Sequence, residues 1–154
     1  MAYWLFKSEP EDFSIDDLEA LGATPEPWDG IRNYQARNIL RDQVTEGDEV
    51  LIYHSSCKQV GVAGTSKVVR AAYPDPDQFD PDSKYYDPKA SADNVRWYCV
   101  DVVFGEKFPE VLPLTAIKAR PGLEEMVLLK QGRLSVQPVT AGEWRQIVKA
   151  ARSL

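Results

Sequence analysis

The chain has 154 residues, a net charge of −6, four tryptophans and two cysteines. That length suits one domain with a buried core. The acidic balance argues against a protein that grips long duplex DNA through its phosphates, because such binding relies on many Lys and Arg side chains. Cys57 and Cys99 lie far apart and form no CxxC unit, which argues against a disulfide framework or a structural zinc.

No apolar run approaches the length of a membrane span. The start, MAYWLFKSEPEDF, lacks the basic region and long apolar stretch of a secretory signal, so the expected location is cytoplasmic. Charge is unevenly spread. Residues 1–27 carry seven acidic residues against one basic, whereas residues 102–154 carry eight basic against five acidic. A local positive face is one reading of that pattern, and a solvated surface is the other.

In chain order, residues 3–7 (YWLFK) predict a buried first strand. Ser14 and Asp17 have capping-box spacing, which predicts a short helix ending near Gly22. Residues 24–32 (TPEPWDGIR) read as loop, because Pro25 and Pro27 break helices and Asp29-Gly30 signals a turn. Residues 34–42 predict a helix with Asn33 as N-cap. A strand follows Gly47-Asp48, and residues 60–73 predict a long strand bulged at Gly61 and Gly64.

Residues 74–94, rich in Pro and Asp, read as a long loop, and loops of that length are often functional. Residues 95–104 alternate as a strand. Helices are expected over 114–119 and 121–130, and a short strand over 133–136. A second capping box, Thr140 with Glu143, opens a final helix running to about Ala151. Strands of non-local order interleaved with short helices predict one α+β domain over 1–154, built on a curved sheet or barrel.

Catalytic patterns are sparse. The one histidine, His54, precedes Ser55, Ser56 and Cys57. A hydrolase or nuclease pairing His54 with Cys57 or Ser55 is the enzymatic alternative, but nucleophile and base would both come from one strand end without a nucleophile-elbow motif. The plainer reading is a strand-end histidine bonded to backbone. The zinc-deaminase signature is missing, as are a P-loop and GxGxxG. The Asp cluster at 75–82 lacks EF-hand spacing and reads as a solvated loop. No cofactor or metal is expected.

What remains is a set of aromatic residues beside amides and hydroxyls. Trp4 and Trp144 fit the core. Trp28 lies in a Pro/Gly loop just before Asn33, Tyr34 and Arg37, and Trp97 closes the acidic loop after Arg96. Such a grouping suits a flat, partly polar ligand: rings stack on its face, and amide or hydroxyl groups read its edge. The alternative for Trp28 is a loop tryptophan capping the core; for Trp97 it is a strand aromatic in the core, a stronger alternative because strand aromatics usually are core.

The motifs YWLFKSEP (3–10), WDGIRNYQARN (28–38), YHS (53–55), GVAG (61–64), YYDP (85–88), Arg96-Trp97 and RLSVQP (133–138) together resemble the EVE domain family across nearly the whole chain. The resemblance implies a PUA-like mixed β-barrel with short helices around it, and kinship with YTH domains, which hold a methylated adenine in an aromatic cage. It implies a non-enzymatic nucleic-acid-binding domain that reads a modified base, a modified cytosine in DNA or a modified base in RNA. By position, Trp28 and Trp97 would be cage walls, and Ser8, Asn33 and Tyr34 would line the pocket. His54 and Ser55 would sit at its rim or floor, Arg133, Ser135 and Gln137 would form another side, and Arg32 and Arg37 would meet phosphates. Extruding a single base needs few phosphate contacts, so an acidic chain is tolerable. A monomer is expected. A small-molecule or protein-interaction domain on the same fold is the third alternative.

Overall fold

The computed structural model describes all of residues 1–154. Six strands form one mixed sheet: β1 (Tyr3–Ser8), β2 (Glu26–Trp28), β3 (Glu49–His54), β4 (Gly61–Pro74), β5 (Tyr98–Pro113) and β6 (Val136–Val139). Their order is β2-β5-β4-β3-β1-β6. Five helices surround it: α1 (Ile15–Leu21), α2 (Tyr34–Asp42), α3 (Leu114–Ala119), α4 (Val127–Lys130) and α5 (Ala141–Arg152). The α+β class stands as expected. The closed barrel does not: β2 and β6 are free edges, so the sheet is open.

β1 organises the molecule. It pairs parallel with β3 and antiparallel with β6. Its hydrophobic residues run without alternation because both faces are covered. Trp4 and Phe6 join Val50 and Ile52 on one face, under Ile15 and Leu18 of α1 and Ala36, Ile39 and Leu40 of α2. Leu5 joins Leu51 and Tyr53 on the other, under Ile117, Leu123, Met126 and Ile147. The period of two along each strand therefore sorts side chains into two cores.

The capping predictions hold. Ser14 and Thr140 each close a capping box, and the Asn33 side chain accepts from the Ala36 N–H. Other bounds move. The 24–32 loop contains the short edge strand β2, which pairs with β5 through Trp28 and Val100. β5 runs to Pro113 rather than ending near 104. Only Val127–Lys130 of the expected 121–130 helix is helical, because Gly122 adopts φ +93° after Pro121. The last strand starts at Val136, where the expectation had it ending.

β4 passes close to β5 at Gly64, with register shifts flanking it. A Cβ there would strike the Glu106 carbonyl oxygen and lie 2.6 Å from Ile15 Cδ1. Gly64→Ala is therefore expected to destabilise the fold by about 1–3 kcal/mol, the usual cost of overpacking, in chemical denaturation. An unchanged midpoint would show that β5 yields at this point.

Asp48 is buried at the β3 entry. It accepts from the Ala2 N–H at 2.9 Å, Trp4 Nε1–H at 2.8 Å, Thr45 N–H at 2.9 Å and the Thr45 hydroxyl at 3.1 Å. Burial opposes its charge, but the donors outweigh burial and hold the carboxyl below its ordinary range. A lowered folded pKa gives stability that is present above the unfolded value of about 3.9 and is lost as pH falls through the folded value. Asp48→Ala should cost about 2–4 kcal/mol at pH 7, since it strands buried donors, and less as the pH drops below about 3.9. A constant difference from pH 7 to pH 2.5 would contradict this.

Candidate functional site

The segment from Trp28 to Tyr34 leaves the sheet edge and enters α2. Asn33 stops it by capping the helix, which projects Tyr34 outward in the first turn. The Pro/Asp-rich segment folds against it through a short 3-10 helix, Pro76–Phe79. Its key is Gln78, which is fully buried. Its Nε2 donates to the Asp75 and Trp97 carbonyls, both at 2.8 Å, and its Oε1 accepts from the Arg96 and Trp97 N–H groups, both at 3.0 Å. One carboxamide thus ties the start of the loop to its end.

Trp97 is fixed further by Nε1–H donating to Asp87 Oδ2 at 2.8 Å. Asp87 also pairs with Arg96 Nε at 2.8 Å, and the indole bond, followed by that with the Lys89 N–H, holds its carboxyl below the ordinary range. On the Trp97 ring lies Tyr34, with centroids 5.0 Å apart and planes 27° from parallel. Trp97 is only 6% exposed and Tyr34 is 50% exposed. The guanidinium of Arg37 sits 4.8 Å from the Tyr34 centroid, that of Arg96 5.8 Å away, and that of Arg32 5.4 Å from Trp97. Arg96 also donates to the Tyr34 hydroxyl. The result is a surface of stacked rings edged by arginines.

These arginines differ in what they have left to give. Arg32 donates to the Tyr85 carbonyl through Nε and Nη2 and to the Ile31 carbonyl and Asp75 through Nη1. It therefore clamps the loop, with its donors turned to protein acceptors. Arg37 bonds Asn38 and the Arg96 carbonyl but pairs with no carboxylate, so its charge is uncompensated. Asp75, which Arg32 grips, also accepts from the Gly30 and Asp77 N–H groups. Asp29, Asp75 and Asp77 bring carboxylate oxygens within 4.8 Å of one another. Burial, then the hydrogen bond and charge of Asp77, push Asp29 up to about 7. Protons and N–H donors thus relieve the crowding in this cluster.

The remaining expected site residues are divided between regions. Trp28 is 6% exposed and packs against Phe6 at 5.7 Å and edge-on to Phe13 at 6.0 Å. The loop reading failed because Trp28 ends an edge strand and turns inward, so in this structure it is core. Ser8 donates to the Phe13 carbonyl, and its own carbonyl accepts from the Ser55 N–H at 2.9 Å. Lys7 N–H donates to the Ser135 carbonyl, so Ser8, Ser55 and Ser135 gather at the C-terminal end of β1. Arg133 is exposed nearby in sequence. Gln137 lies on the opposite face of β6 from Val136, fully buried. Its Nε2 donates to the Gln131 and Leu134 carbonyls at 3.0 and 2.8 Å. It braces the turn before β6 rather than lining an open pocket.

His54 is buried and lines a cleft of about 1300 Å³ with Cys57, Lys58 and Lys107. Its Nε2 accepts from the Ile15 N–H at 3.1 Å, so the neutral ring carries its proton on Nδ1. Burial lowers its pKa, against a smaller opposing pull from Asp16. The lone pair that a general base would use is therefore occupied by α1. This removes the physical basis for pairing His54 with Cys57 or Ser55.

Sequence reasoning missed Gln78, and it gave Tyr85, Asp87 and Arg96 no role although they stand in the YYDP and Arg96-Trp97 motifs. Gln78 carried no periodic signal within its Asp-rich surroundings.

The profile of the EVE domain family matches residues 2–150. Human thymocyte nuclear protein 1 is 43% identical over 160 residues, covering 93% of this chain and 71% of its own length. The crystal structure of human THYN1 protein in complex with 5-methylcytosine-containing DNA superposes with TM-score 0.92 at 40% identity, covering 98% of each chain. A Leishmania major protein of known structure superposes with TM-score 0.94 at 48% identity, covering 99% of this chain and 96% of its own. The relatives' name, shared in human, zebrafish and mouse, is that of a nuclear protein, and it overturns the cytoplasmic expectation that rested on a missing signal. By profile, sequence and fold, the chain belongs to the EVE domain family.

Proposed function

We propose that this chain is a non-enzymatic reader of a modified base in DNA, with 5-methylcytosine as the first candidate. The observation that carries this is the Tyr34–Trp97 stack edged by Arg37 and Arg96, on a chain whose relative THYN1 is in complex with 5-methylcytosine-containing DNA. A base removed from its duplex needs an aromatic surface and edge contacts. Trp97 supplies the first. The side-chain amide of Asn33, whose oxygen alone is engaged in capping, supplies a candidate for the second. Arg37 is the natural phosphate contact, and Arg133 is a second exposed cation for that role.

Charge supports an extruded base over a gripped duplex. Arg32 and Arg96 are each neutralised by an aspartate, which leaves Arg37 as the one arginine beside the stack without such a partner. Binding should then depend on ring stacking more than on salt. RNA carrying a modified base is the competing ligand, and a parallel titration distinguishes it.

Affinity for a duplex with one 5-methylcytosine should exceed that for its unmodified twin by about fourfold or more, the worth of one buried methyl. Equal affinities in a fluorescence-anisotropy titration would sink the reading. Arg37→Ala should weaken both duplexes alike and reduce the salt slope by about one unit, whereas Arg32→Ala should mainly lower thermal stability. A larger loss of slope for Arg32→Ala would reverse these assignments.

A further inference from the structure

We propose that Tyr34 is a lid: in the free protein its ring occupies the place on Trp97 that an incoming base takes, and binding requires it to swing away. This rests on the reader function proposed above and adds how its site is kept closed. Trp97 is almost wholly covered, and Tyr34 stacks on it at 5.0 Å and 27°. That is an offset aromatic stack of the kind a base would make. The Tyr34 ring is a single six-membered ring, comparable in size to a pyrimidine.

The two partners are anchored very differently. Trp97 is held through both backbone groups by Gln78 and through its indole N–H by Asp87. Tyr34 is half exposed, and its side chain has one hydrogen bond, at its hydroxyl, from Arg96. It also stands at the first residue of α2, where no preceding helical turn restricts its rotamer. When the stack opens, Tyr34 therefore moves and Trp97 stays. Arg96 is the latch, itself held by Asp87 at 2.8 Å. Arg37 reaches both rings, 4.8 Å from Tyr34 and 5.9 Å from Trp97, so a cation remains beside whichever ring lies on Trp97.

A lid differs from a stacking platform in the sign of one result. Removing a platform weakens binding. Removing a lid strengthens it, because the ligand no longer competes with an internal ring. The test titrates a duplex bearing one 5-methylcytosine, and its unmodified twin, into the parent chain and into Tyr34→Ala, Tyr34→Phe and Trp97→Ala, with thermal melts confirming folding. Tyr34→Ala should bind the methylated duplex about two- to tenfold more tightly, the equivalent of the lost ring stack. Tyr34→Phe, which keeps the ring and loses the latch, should gain less, and folded Trp97→Ala should bind more weakly than the parent. If Trp97→Ala fails to fold, the two Tyr34 variants decide alone.

Weaker or unchanged binding by Tyr34→Ala overturns the lid while leaving the reader standing, provided the parent still prefers the methylated duplex. If the parent shows no preference, the reader fails. A gain for both duplexes in Tyr34→Ala would then still support the lid, and no gain would overturn it too.

Discussion

The buried carboxamide of Gln78 is the constraint on which the Tyr34–Trp97 face depends. A loop of this length, rich in proline and aspartate, has no apolar periodicity to dock it and no sheet partner for most of its backbone. Gln78 uses both ends of its side chain to join Asp75 to Arg96 and Trp97. Because all four bonds lie out of water, losing them would leave buried backbone groups unpaired, which is costlier than the net worth of the bonds themselves. From that knot follow the position of Asp75, which grips Arg32, and of Trp97, on which Tyr34 rests.

The same arrangement lets an acidic chain carry the nucleic-acid ligand proposed above. Most of the aspartates that make the loop acidic and lie near the rings face inward to an arginine, an indole N–H or backbone N–H groups. They organise the aromatic surface instead of repelling a phosphate. The cations that could meet a phosphate backbone are few, and Arg37 is the one beside the stack without an acidic partner.

Much of the fold was legible in local signals. The capping boxes at Ser14 and Thr140, the Asn33 cap and the unbroken apolar run of β3 all mark their elements because the cause is contained in a few adjacent residues. The open edges were not legible, since closure of a sheet is decided by pairings between distant strands. The binding face was legible in part. Tyr34, Arg37 and Trp97 lie together in the structure, and Asn33 caps the helix that begins with Tyr34. The burial of Trp28 and Gln137 was not legible because which way a residue points in a short strand depends on register, and the clamp at Arg32 was not legible because its partners, Asp75 and Tyr85, lie more than 40 residues away.

The central claim is that the Tyr34–Trp97 face receives the base. It is tested most directly by NMR of isotopically labelled protein during titration with a duplex containing one 5-methylcytosine. The account predicts that the Trp97 indole N–H and the amides of Asn33, Tyr34 and Arg37 shift first and furthest, with Trp4 and Trp144 unchanged. Shifts confined to the cleft around His54 and Cys57, or to α5, with Trp97 unmoved, would contradict it.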